Sequence, residues 1–191
     1  MGLYRYYLAL QTVLPESYQN NKEFIENLKV LQSHGFDGVE LNIKDPDSIE
    51  PSELKAFLRE FNLEVSMFAT GLTAKTEQLS LSSSDEPKRT KSVARAKEFL
   101  AFAKKLNAGI IAGFLKGMAG ENSQAHREAL KQSIRELSLE AKKLETPFLV
   151  EAINRFESPL GNSLDDTWSL LEGTPRDYTY VLPDTWHMNI E

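Results

Sequence analysis

The sequence predicts an α/β fold of the TIM type, a (β/α)8 barrel carried through about six βα units and therefore incomplete. Three observations predict it. Short apolar runs alternate with amphipathic helical stretches along the chain, and parallel strands joined by helices are neighbours with right-handed crossovers. The turn after the first strand, QTVLPES, contains no glycine, which argues against a doubly wound dinucleotide fold. With 191 residues, the chain falls roughly two units short of the ~250 residues of a typical barrel, and the deficit sits at the C-terminus.

The elements follow in order. LYRYYLALQTVL (3–14) reads as strand one. NKEFIENLKVLQSHG (21–35) places Phe24, Ile25, Leu28 and Leu31 at helical spacing and ends on a glycine stop. GVELNI (38–43) is a short apolar strand. SIEPSELKAFLREFN (48–62) is a helix with Pro51 in its first turn and Leu54, Phe57, Leu58 and Phe61 on one face. LEVSMFAT (63–70) is strand three. The polar stretch 71–87 shows no period and is expected to be a binding loop or lid. A helix over 88–107, strand four over 108–117 and a long helix over 123–145 come next. Strand five (147–154), a Ser-capped helix (163–173) and strand six (177–187) complete the pattern, with no helix after the last strand. That strand should leave an apolar edge open to solvent.

Composition narrows the function classes. An apolar content of 41% is enough for one real core, and no linker or low-complexity tract divides the chain. A formal charge of −6 with no strongly basic face argues against a nucleic-acid partner. The absence of cysteine excludes disulfides, Cys–zinc sites and thiol nucleophiles. The N-terminal apolar run, interrupted by Gln11, reads as a strand and not as a signal peptide, and no run approaches the ~20 residues of a bilayer span. A cytoplasmic enzyme without a membrane partner fits these features best.

Barrel enzymes place their working residues at the C-terminal ends of strands. Here those ends offer Glu40 and Asn42, Thr70 and Gly71, then Gly113, Lys116 and Gly117. Strand five contributes Glu151, Asn154, Arg155 and Glu157; strand six contributes Asp184, His187, Asn189 and Glu191. Glu151 is the most telling, because it follows PFLV in a strand that should be buried, and a buried carboxylate needs a cation or a basic partner. Asp184 repeats the case from the next strand, ~4.8 Å away, so the two carboxylates could share one divalent ion. An oxygen pair with a nearby imidazole suits Mg²⁺, Mn²⁺ or Co²⁺. Of the three histidines, His34 reads as a helix C-terminal residue and His126 as a solvated one, which leaves His187. The KRTK run (88–91) reads as a solvated face, and Met67 and Met118 as packing residues. Phe156 and Trp186 read either as core or as the apolar wall of a sugar pocket.

EAINRFESPLGNSLDDT, followed by LPDTWHMNIE, resembles the xylose isomerase-like TIM-barrel superfamily, nearest to its sugar phosphate isomerase/epimerase group of D-tagatose and D-psicose 3-epimerases. The loop GLTAKTEQLSLSSSDEPKR and the GFLKG strand share the likeness, which covers essentially the whole chain. The resemblance implies a metal-dependent epimerase or isomerase of sugars or sugar phosphates, moving a proton at the carbon beside a ketose carbonyl through an enediolate. It implies that Glu151 is a metal ligand and a catalytic acid/base, and that Asp184 is a metal ligand. It also implies that Glu157 and His187 bind substrate. The implied cofactor is a divalent ion, Mn²⁺ foremost with Co²⁺ or Mg²⁺ as alternatives; the implied partner is a small sugar, and the full-length form is expected to be a homo-oligomer. The family completes its site with a His and an Arg from the seventh unit and a Glu from strand eight, none of which the sequence contains. Residues 1–191 are therefore expected to be one domain lacking strands seven and eight, a C-terminally truncated chain inactive alone, since two carboxylates are needed to work both faces of a carbon.

Two other readings compete. An endonuclease IV-type abasic-site nuclease shares the strand-five Glu and the Asp-x-x-His, but would want histidines at strand exits three and four. A non-catalytic barrel that binds a sugar without turning it over is the other. Hydroxypyruvate isomerase and inosose dehydratase relatives remain open within the favoured class.

Overall fold

The structure, a computed structural model, describes residues 7–117 and 119–191. Its spine is a six-stranded, all-parallel sheet in the order β1-β2-β3-β4-β5-β6, so sequence neighbours are spatial neighbours throughout. The strands are β1 (Ala9–Val13), β2 (Gly38–Asn42), β3 (Glu64–Ala69), β4 (Gly109–Ala112), β5 (Phe148–Ala152) and β6 (Thr179–Pro183). This is the incomplete barrel expected from the alternating pattern. Residues 3–6 of the predicted first strand, and Met118, lie outside the described residues. β4 is buried along its whole length, as a parallel strand covered on both faces should be. The edge strand β6 exposes Tyr180 at 49%.

Helices cross between the strands: α1 (Lys22–Ser33), α2 (Pro51–Arg59), α3 (Gly71–Glu77), α4 (Glu86–Lys105), α5 (Gln124–Leu144), α6 (Leu164–Leu170) and the one-turn α7 (Thr185–Met188). Local chemistry sets their starts. The Asn21 side chain accepts from the Phe24 N–H at 2.9 Å, and Pro51 opens α2 where its missing donor costs nothing. Ser123 and His126 cap α5 reciprocally, with His126 in the helix's first turn as expected and its imidazole tied to Ser123. His34 does end α1, with Nδ1 at 2.8 Å from the Val30 carbonyl. The core joins Leu28 and Leu58 of the helices to Leu41, Phe68, Ile110, Phe148 and Val150 of the strands, and each such side chain contributes ~2 kcal/mol by leaving water. Among the described residues no helix is long and apolar enough to cross a membrane.

Four sequence expectations are corrected. The stretch 71–87 is not a structureless loop, because α3 occupies its first part. That helix lacks an apolar period and is held by tertiary contacts: the Asn42 side chain accepts from the Leu72 N–H at 3.0 Å, and Arg95 reaches Glu77 at 3.0 Å while also pairing with Asp45, Asp47 and Glu98. The strand predicted to run to 187 stops at Pro183, since Asp184 is the N-cap of α7, so a short helix does follow β6. Strand four, predicted over 108–117, ends at Ala112 and gives way to a 3-10 turn over Phe114–Lys116. Within KRTK, Arg89 is 4% exposed rather than solvated, and donates to Glu86, Ser133 and Glu136.

Candidate active site

The C-terminal ends of the strands enclose a cavity of ≈ 180 Å³, lined by residues from β1 through α7. Glu151 enters it from the end of β5, where it pairs with Leu182 of β6; Asp184 enters just beyond β6. His187 follows one turn later on α7 and is buried. One ligand atom from each of Glu151, Asp184 and His187 lies within 4.8 Å of the others. The two carboxylates expected to converge therefore do so, with the imidazole beside them.

Each is held by a distinct device. Asp184 Oδ1 caps α7, accepting from the Trp186 N–H at 2.7 Å and the His187 N–H at 3.3 Å, and Oδ2 accepts no hydrogen bond among the described residues. His187 Nε2 stands 4.0 Å from Glu151 Oε1, and Nδ1 stands 2.8 Å from the Asn154 side-chain nitrogen. Glu157 accepts from that same nitrogen at 2.9 Å and lines the cavity. Glu151 owes its place to two residues of strand four's exit. A Cβ at Gly113 would overlap Glu151 Oε2. The fully buried Lys116 donates to the carbonyls of Glu151 and Gly161, the latter at 3.0 Å.

Electrostatics match this crowding. Burial pushes the Glu151 carboxyl up to about 7; Lys116 opposes the rise, while Asp184, Glu40 and Glu157 add to it. Burial also raises Glu40, against the hydrogen bond that Gln11 donates to it at 2.6 Å. Lys116 is lowered by burial to about 7, offset by Glu151 and Asp166. Several carboxylates in one small cavity repel one another, and a cation relieves that repulsion. The paired carboxylate oxygens of Glu151 and Asp184 fit a hard or borderline divalent ion.

Of the other candidates, Glu40, Asn42, Thr70 and Gly71 do line the cavity. Glu191 does not join it; its carboxylate accepts from the Arg155 N–H and guanidinium at 2.7 Å each. Phe156 and Trp186, 81% and 67% exposed, are neither core nor cavity wall, and Phe114 lines the cavity instead. Sequence reasoning missed Gln11, whose signal was a polar side chain inside an apolar strand-one run, and gave Asn154 no role.

A parallel barrel segment with paired carboxylates and an imidazole at the C-terminal rim carries its polar cluster on the face where barrel enzymes place their active sites. The chain belongs to the xylose isomerase-like TIM-barrel family, whose model matches residues 28–191. It is 29% identical over 184 residues to a probable ketose 3-epimerase of Synechocystis sp., covering 89% of this chain and 61% of the relative. It is also 29% identical over 163 residues to an L-ribulose 3-epimerase of Mesorhizobium japonicum, covering 82% and 53%. A solved L-ribulose 3-epimerase structure superposes with a TM-score of 0.79 at 21% identity, over 96% of this chain and 62% of that one; at that identity the likeness speaks to fold. The chain thus spans about half to six tenths of the length of the curated relatives it matches.

Proposed function

We propose that residues 1–191 form the metal- and sugar-binding part of a divalent-metal-dependent ketose 3-epimerase. The observation that carries this reading is the convergence of Glu151, Asp184 and His187 in one strand-exit cavity, in a chain whose relatives are named as ketose and L-ribulose 3-epimerases. Glu151 and Asp184 would hold the ion, Mn²⁺ foremost. When bound, such an ion supplies Lewis-acid stabilisation of negative charge growing on substrate oxygens.

The chain's own groups would supply one side of the reaction. Glu151, at the cavity wall, would move the proton on one face of the carbon beside the ketose carbonyl, and the opposite face needs a second acid/base. His187 and Glu157 hold substrate oxygens on the same side. The carbanion so generated is delocalised as an enediolate. The buried walls around Glu151 exclude water that would otherwise compete for the proton.

The nuclease reading asked for histidines at strand exits three and four, where the cavity instead presents Thr70 and Gly113. The test has two arms. Mn²⁺ is titrated into the chain, and exchange of the C3 proton of a free ketose with D₂O is followed by NMR using the longest reading frame that carries this chain. Metal-dependent exchange is expected; binding of metal and ketose without exchange would favour the non-catalytic barrel.

A further inference from the structure

Asn154, two residues beyond the end of β5, is fully buried, and its side-chain amide is hydrogen-bonded at both ends. Its Oδ1 accepts from the Phe156 N–H at 2.9 Å. A backbone N–H can only donate, so this contact fixes which end of the amide is oxygen and removes the usual ambiguity of orientation. The amide nitrogen then faces the site with two hydrogens and two acceptors: Glu157 Oε1 at 2.9 Å and His187 Nδ1 at 2.8 Å. The other acceptor near Nδ1, Glu157 Oε1, is 4.0 Å away, too far to take a proton from it.

A donor aimed at Nδ1 requires a lone pair there, and a neutral imidazole with a lone pair on Nδ1 carries its hydrogen on Nε2. Nε2 is the nitrogen on the Glu151 side of the ring. A nitrogen that carries hydrogen cannot ligate a metal.

Resting on the metal and ketose reading above, we infer that Asn154 is a positioning residue that holds His187 as the Nε2–H tautomer. His187 then offers a hydrogen bond to a substrate oxygen and is kept out of the metal's coordination sphere, although one of its ring nitrogens lies within 4.8 Å of oxygens of Glu151 and Asp184. The labour is divided: carboxylates for the ion, imidazole for the substrate. Asn154 touches neither.

The tautomer is read directly from long-range ¹H–¹⁵N correlations of the ¹⁵N-labelled, metal-free chain at about pH 8, where a free imidazole is neutral. The ring is assigned with His187→Gln. The expected spectrum shows an unprotonated Nδ1 and a protonated Nε2. In Asn154→Asp the new carboxylate accepts at Nδ1, so the pattern should reverse. With Mn²⁺ added, pulsed EPR should show no imidazole nitrogen coupled to the ion in the wild type and should show one in Asn154→Asp. A wild-type ring protonated on Nδ1, or a wild-type ion coupled to imidazole nitrogen, overturns the inference. These wild-type spectra decide even where Asn154→Asp fails to fold. Failure of Mn²⁺ to bind at all would overturn the metal reading instead, and the metal-free spectrum would still test the tautomer.

Discussion

Gly113 and Glu151 share one volume: the carboxylate of Glu151 fills the space that a side chain on Gly113 would need. Glycine at the exit of β4 is thus part of how the exit of β5 aims its acid. Gly113→Ala should push the carboxylate aside, because the overlapping atom is the free end of a flexible side chain and not backbone. Ile153 Cδ1 would lie 3.3 Å from the same added methyl and must give by a few tenths of an ångström as well. We expect Mn²⁺ affinity to fall about tenfold, or ~1.4 kcal/mol, with the melting temperature almost unchanged. Titration calorimetry beside thermal melting measures both, and an unaltered affinity would show that the carboxylate is not aimed from this side.

Lys116 anchors the same residue through its backbone carbonyl. Lys116→Met keeps the apolar stem but leaves the Glu151 and Gly161 carbonyls buried without that donor. A net loss of about 1 kcal/mol is expected: the Gly161 carbonyl keeps the Ile153 N–H at 3.2 Å, and the lost Lys116 bonds are partly offset by removing a buried charge. Urea unfolding monitored by circular dichroism checks it. No loss would mean that Lys116 is not an anchor of the Glu151 backbone.

The raised Glu151 carboxyl makes metal binding depend on pH. A metal takes the ionised carboxylate and must displace the proton below about 7. Apparent Mn²⁺ affinity should therefore climb with pH up to that value and level off above it, being roughly tenfold weaker one unit below. Calorimetry in buffers of different ionisation enthalpy should register proton release on the acid side. A flat profile between about pH 6 and pH 8 would contradict the shift.

Arg95 ties α3 to α4 and to the segment after β2 through four carboxylates, and its own side chain is 11% exposed. Three of those partners are themselves well exposed, so each pair is worth little alone. Arg95→Met should cost about 1–2 kcal/mol as a network and should open residues 71–77 to proteolysis before the sheet unfolds. Cleavage mapping by mass spectrometry would locate the first cut; a first cut elsewhere would argue against Arg95 as the tether.

What could be read from sequence follows from what is local. Strands two to five and the long helices announce themselves through apolar periods, Pro51, Gly35 and the Ser caps, and strand-exit acids then follow from the fold rule. Glu151 and Asp184 were legible because each interrupts or ends an apolar run. α3 was not, since its helix rests on Arg95 and Asn42, distant in sequence. The Asp184 cap was mistaken for continuing strand because one capped turn leaves no period to detect. Arg89 in a basic run reads as surface, and only α5 packing across it shows otherwise. The tautomer of His187 depends on Asn154, 33 positions earlier, and no local pattern carries it.

The central claim is that Glu151 and Asp184 together hold a divalent ion. Asp184→Asn tests it most directly, because asparagine can still cap α7 and only the charge is removed. Mn²⁺ titrated into the wild type should bind at one site, and in Asp184→Asn the affinity should fall at least about tenfold with the melting temperature retained. Equal affinity in the two proteins, or no Mn²⁺ bound by the wild type, would contradict the account.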